Sequence, residues 1–310
     1  MSVSAPLLKF GALLMVLGGC AGPVRNTVPV AAPPRPAVVE DISPLSKELV
    51  AFYSQVEAGQ RARGLLRIDG GGPDVPYDDE RLVATFKAVA FAREFSDQGD
   101  ALVRREGESI LHRWSQPVRI EPIFGPSVDE MQRDDDRATL GRLAKRLERA
   151  TRHPVGLVDR GGNFRVLVVS EDERRKIGPT LQRLLPEIRQ REIDVIEGLD
   201  AANYCVVVAS DPGDDGVLTR AVAVIRAELP PRLRMSCFHE EIAQGLGLSN
   251  DSARARPSIF NDDDEFGRLT AMDEDMLRML YDLRLKPGMD ADTAAPLVRQ
   301  IAETLSRGAL

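Results

Sequence analysis

Apolar residues follow two periods along this chain. From Ser46 to Leu66, and again behind Asp78-Asp79-Glu80 through Leu82, Val83, Phe86, Val89, Ala90 and Phe95, they recur every three or four positions. That spacing predicts two amphipathic helices, divided by the breaker cluster Gly70-Gly71-Gly72-Pro73. Alternation with β-branched residues predicts a strand near 117–124, and the helical period returns from Asp129 to Thr151 with Leu140, Leu143 and Leu147 on one face. Val155 to Val158 and Asn163 to Val169 read as strands around Gly161-Gly162, and Asp172 to Ile196 as one further helix. Tyr204 to Ala209 is a short buried strand, the loop Asp211 to Gly216 leads to another over Gly216 to Ile225, and a helix begins around Ser236 to His239. No internal repeat is present. The order predicts an α+β fold: a main domain over residues 45–290 with its core at 80–290, N-terminal helices, and a helical tail at 291–310.

The first residues read as an address. Lys9 precedes the apolar run Phe10 to Leu17, which ends in Gly18-Gly19-Cys20, too short to span a bilayer as a mature helix. Leu17-Gly18-Gly19-Cys20 resembles the bacterial lipobox, which implies that residues 1–19 are a signal peptide and that Cys20 is lipidated and membrane-anchored. Several acyl chains, at ~0.8 kcal/mol per buried methylene, anchor a protein without a transmembrane helix. Ala21 rather than aspartate after the cysteine implies, by the same resemblance, an outer-membrane address facing the periplasm. Residues 20–44, with Pro23, Pro29, Pro33, Pro34, Pro36 and Pro44, read as an extended tether.

Composition narrows the chemistry. The 310 residues carry a formal net charge of -7 in mixed-sign runs, without the basic stripe that neutralises phosphates, so nucleic acid is not an expected partner. Three histidines and three cysteines leave few candidates for any site built on imidazole or thiolate. With Cys20 taken by lipid, Cys205 and Cys237 form an even pair that an oxidising compartment would join; two separate buried thiols is the alternative.

His239-Glu240 suggests the zinc motif H-E-x-x-H, but the fourth residue on is Ala243. One residue later, Glu240-Glu241-Ile-Ala-Gln244-Gly-Leu-Gly247-Leu-Ser-Asn250 falls on the frame H-E-x-x-H-x-x-G-x-x-H and resembles the metzincin zinc peptidases. The resemblance implies a zincin-like mixed sheet with an active-site-type helix. Glu240, Gln244 and Asn250 then stand at the three ligand positions, Glu241 at the general base, Gly247 at the turn, and Phe260 at the methionine turn. The same stretch, with Asn250-Asp251 and Pro257 to Asp262, is also similar to a family of uncharacterised bacterial lipoproteins, the domain of unknown function 2927.

The substitutions alter what the frame can do. One carboxylate and two amides hold zinc poorly; with Asp251 or Asp262 they would form an oxygen-rich set suited to a harder ion. His239, about 100° round the helix from Glu240, points off the shared face and reads as structural, although it alone among these residues offers an imidazole. Glu241 reads either as a general base or as a buried carboxylate that braces a loop. The run Asn261 to Glu265 reads as a solvated loop and Ser249 to Ser252 as turn and cap chemistry, and His112 or His153 would serve a serine triad only without a nucleophile-elbow motif. Two functions follow. The first is a non-catalytic binding or scaffold lipoprotein of the envelope, without cofactor, for peptide, peptidoglycan or another protein. The second is a divergent hydrolase holding one divalent metal ion through Glu240, Gln244, Asn250 and His239, with Glu241 activating water.

Overall fold

The computed structural model describes residues 41–98, 101–261 and 263–308. The leader, Cys20, most of the tether and Asp262 lie outside the described residues. Val38–Leu310 form one unit. Its elements are α1 (Pro44–Ala62), α2 (Asp79–Ala90), β1 (Ala92–Gln98), β2 (Ala101–Glu108), β3 (Arg113–Trp114), β4 (Val118–Phe124), α3 (Glu130–Thr151), β5 (Val155–Leu157) and β6 (Phe164–Val169). They continue with α4 (Glu171–Arg174), α5 (Gly178–Leu184), α6 (Gln190–Gly198), β7 (Cys205–Ser210), β8 (Val217–Leu218), β9 (Arg220–Arg226), α7 (Pro231–Gly245), α8 (Ala271–Leu280) and α9 (Ala291–Gly308). Among the described residues, no helix is long and apolar enough to cross a membrane.

The architecture is α+β. A five-stranded mixed sheet runs in the order β5-β4-β6-β9-β7, parallel except for β7, which pairs antiparallel with β9 at the edge. Alternation sends successive side chains to opposite faces. Phe164, Val166, Val168, Ala221, Ala223 and Ile225 join the large core with residues of α2, α3, α7, α8 and α9, whereas Leu167, Val169, Val222 and Val224 meet α5 and α6. The sheet is thus covered on both sides, which explains why β6 and β9 read as near-continuous apolar runs. The tail helix α9 buries Ala294, Val298, Ile301 and Ala302 in the same large core.

Four sequence expectations are corrected. Phe95 is not on a helix: α2 ends at Ala90, and Ala92–Gln98 pairs antiparallel with β2 as a hairpin. Asp172 to Ile196 is three short helices, because Pro179 starts α5 and Pro186 follows its end, and a proline cannot donate within a helix interior. The last main strand is interrupted at Thr219, with β8 pairing to β3 and β9 to the sheet. The motif helix begins at Pro231 rather than near Ser236, with Pro230 at its N-cap, so Cys237 lies inside the helix. Pro230 has no capping side chain. Glu57 of α1 supplies the acceptor, its Oε2 receiving the amides of Arg232 and Leu233 at 3.0 and 3.1 Å.

The helix α7 is buried on most of its circumference. Gly245 makes its close approach to the sheet feasible: a Cβ there would lie 2.5 Å from Phe164 Cε2 and Cζ. Trp114 packs beside Phe164, ring centroids 6.2 Å apart, and its Nε1 donates to the Gly245 carbonyl at 2.8 Å. Gly245→Ala is expected to lower stability by about 2 kcal/mol through overpacking, measured as a shift of the urea midpoint at unchanged slope.

Candidate functional site

Two walls form a cleft of about 870 Å³. One is the flank of α7 on which Ser236, Glu240, Glu241 and Gln244 line the space; the other is β7, which lines it from Cys205 to Ser210. β7 pairs with β9 on one side and with no strand on the other among the described residues. Cys205 and Cys237 are joined by a disulfide, with Cα atoms 5.9 Å apart, so the two walls are stapled at one end of the cleft. The even pair of cysteines is therefore the staple and not two separate thiols.

The helical period sorts the motif residues. Glu240 and Gln244, four apart, share the cleft face with Glu241, which is buried at its foot. Gln244 Nε2 donates to Asp251 Oδ1 at 2.9 Å, tying the helix to the loop that follows. His239 faces the opposite way into the core, where Nδ1 accepts the Leu269 amide at 3.3 Å. Asn250 turns away as well. Its Nδ2 donates to Ala88 O at 3.0 Å and Asp251 O at 2.8 Å, and its amide to Val89 O at 3.1 Å, so it satisfies orphan carbonyls at the end of α2.

Gly247 has φ +123, and a Cβ there would overlap the His112 carbonyl, so the turn after α7 needs glycine. The helix end is closed by Tyr281, whose hydroxyl donates to Leu246 O at 3.1 Å and accepts the Trp114 amide at 3.4 Å. Phe260 is fully buried. Its turn hangs on Asp273: Oδ1 accepts the Ser258 hydroxyl at 2.5 Å, and Oδ2 accepts the amides of Ile259 and Thr270 at 3.1 and 2.7 Å. Burial pushes the Asp273 carboxyl up, while these bonds and its place at the start of α8 favour the charged form. The run Asn261 to Glu265 is tied in at its C-terminal end, Asp264 receiving Gln60 Nε2 at 2.5 Å and Glu265 receiving Arg256 Nε at 2.6 Å.

Residues 79–300 match the family model described as "Protein of unknown function (DUF2927)". The chain belongs to this family. The DUF2927 span runs from the start of α2 into α9 and contains both cleft walls. No curated protein and no solved structure gives a significant match.

Zinc takes three protein ligands from imidazole, thiolate or carboxylate and leaves one position open. The motif here offers Glu240 and the Gln244 amide in the cleft, with Asn250 bonded at α2 and His239 in the core. That donor set does not fit zinc. Among the described residues, no three His, Cys, Asp or Glu side chains converge at ligand spacing.

Sequence reasoning missed two groups at the cleft. His112 Nε2 lies 3.4 Å from Asp211 Oδ2, and both line the space. At the β7 end, Arg119, Arg165 and Arg220 gather in a neighbouring cavity. A signal was present in each case: Asp211 opens a turn-rich loop, and the three arginines stand near the starts of three sequence-predicted strands. His153 is outside the cleft, its ring tilted 38° against Tyr281 with centroids 5.0 Å apart.

Two consequences are measurable. Cys205→Ser with Cys237→Ser, or reduction, is expected to cost about 4 kcal/mol for a loop closed over a sequence separation of 32, read from urea unfolding with and without reductant. Complete burial, with Arg146 and Arg268 adding positive charge nearby, pushes the His239 imidazole from 6.5 down to about 3. Between those values the unfolded chain binds the proton and the folded chain does not, so this group's contribution to stability falls as pH drops below 6.5. His239→Asn, which keeps an acceptor for the Leu269 amide, is expected to flatten the stability profile by about 1 kcal/mol per pH unit between pH 6 and 5.

Proposed function

We propose that the chain is a bacterial envelope lipoprotein, lipidated at Cys20 and held at the periplasmic side of the outer membrane, whose cleft binds a peptide, a peptidoglycan strand or a segment of another envelope protein without cleaving it. The lipobox-like Leu17-Gly18-Gly19-Cys20 and the proline-rich residues 21–44 support the anchor and tether. The Cys205–Cys237 bond suits an oxidising compartment. A mixed sheet, a buried helix carrying Glu240, Glu241 and Gln244 beside an edge strand, and the buried Phe260 turn support a degenerate metzincin-like scaffold.

One observation carries the non-catalytic reading: the cleft keeps its walls, while His239 and Asn250 are spent on backbone groups of the core. A glutamate without a metal to polarise a carbonyl is a weak peptidase. The open row of backbone groups on β7 suits an extended chain, which adds as a further strand. Glu241 at the cleft foot is the observation behind the second reading, a divergent hydrolase in which it acts as general base.

Complementation of a deletion strain separates the two. Glu241→Gln is expected to complement fully, whereas Ala209→Trp, which fills the cleft from an exposed position, is expected to fail although the protein accumulates normally. Loss of function in Glu241→Gln, with folding and ligand binding both intact, would select the hydrolase. For the anchor, Cys20→Ser is expected to shift the protein out of the membrane fraction; unchanged membrane retention would refute it.

A further inference from the structure

A second cavity, of about 460 Å³, opens beyond the Ser210 end of the cleft and shares Glu187 and Pro212 with it. Its lining includes Arg119, Arg165 and Arg220, from the adjacent parallel strands β4, β6 and β9. The register Ile120 to Phe164 to Ala221 places Arg119 and Arg220 just before that row and Arg165 just after it, so the three guanidinium groups fringe one end of the sheet. Arg220 Nη1 bonds Glu187 at 2.8 Å, and Arg119 Nε donates to Gly161 O at 3.3 Å. Arg165 Nε has no hydrogen-bond partner and lies 3.6 Å from Glu121 Oε2, in ion-pair range. Glu187 and Glu121 offset two of the three positive charges, and the one that remains is a charge an entering oxyanion would pair with.

The cleft has the opposite sign. Glu192, Asp214, Glu240, Glu241, Asp251 and Asp264 line it, and Arg189 is the one guanidinium among its described lining residues. An occupant of both spaces must be positive along its length and negative at one end. An extended chain fits the six residues of β7, about 20 Å of strand.

Resting on the binding reading of the cleft, we infer that its ligand is an extended peptide of about six to eight residues, with basic side chains along the acidic cleft and a free terminal carboxylate in the arginine cavity. A carboxylate accepts paired guanidinium bonds, which an amidated terminus cannot do.

The test uses the full-length chain in mild non-ionic detergent and a fluorescein-labelled octapeptide of alternating lysine and alanine, as free acid and as C-terminal amide. Fluorescence anisotropy is expected to show the acid binding at least about 10-fold tighter than the amide. Arg220→Gln, at a half-buried position, and, separately, Arg119→Gln, at an exposed one, are expected to weaken the acid by a similar factor and leave the amide unchanged. Raising salt from 50 to 300 mM is expected to weaken both peptides. Equal affinity of acid and amide, with both displaced by Ala209→Trp, would overturn the carboxylate pocket while leaving the cleft a binding site. No binding of either peptide at millimolar concentration would overturn both.

Discussion

The close approach of α7 to the sheet is the constraint on which the rest depends. Gly245 lets the helix meet the Phe164 ring, Trp114 holds the Gly245 carbonyl, and Cys237 is bonded to the edge strand through Cys205. The other end of the helix, begun by two prolines, takes its cap from Glu57 of a distant helix. With both ends and one flank fixed, the strip carrying Ser236, Glu240, Glu241 and Gln244 is the part of the helix that lines the cleft. The cleft is thus a product of packing rather than of loop placement, and packing of this kind keeps a surface pre-formed.

The same fixing decides which motif residues can do chemistry. A helix turns about 100° per residue, so Glu240 in the cleft obliges His239 to face inward, where it accepts one amide and stays neutral. Asn250, past the Gly247 turn, closes the end of α2 instead of facing the cleft. Asp273 performs a comparable service for the Phe260 turn. The residues between 239 and 250 that resemble one motif in sequence are therefore divided between a polar cleft and a structural role in the core.

Much of this was legible in the sequence where periodicity is long and unbroken. The helix Glu130–Thr151 and the strands Val118–Phe124 and Phe164–Val169 stand within a residue or two of their expected limits. The cysteine pairing was expected from the even count of Cys205 and Cys237, and the inward turn of His239 from helix geometry. Other features depend on partners far apart in the chain. Glu57 as a cap for α7 and Arg226 bonded to Glu171 have no local signature. The arginine cavity exists because the register aligns three strand starts, which no single strand records. Pro179 and Pro186 did mark the breaks between α4, α5 and α6, and the apolar period across them concealed the signal.

The most direct test of a protease-like frame without its metal chemistry is elemental analysis of the full-length chain purified without chelator, alongside Glu240→Ala and Gln244→Ala. The expected result is no stoichiometric zinc and no difference between the native chain and either variant. One ion per chain in the native protein, lost in both variants, would contradict it and restore a metal-dependent hydrolase.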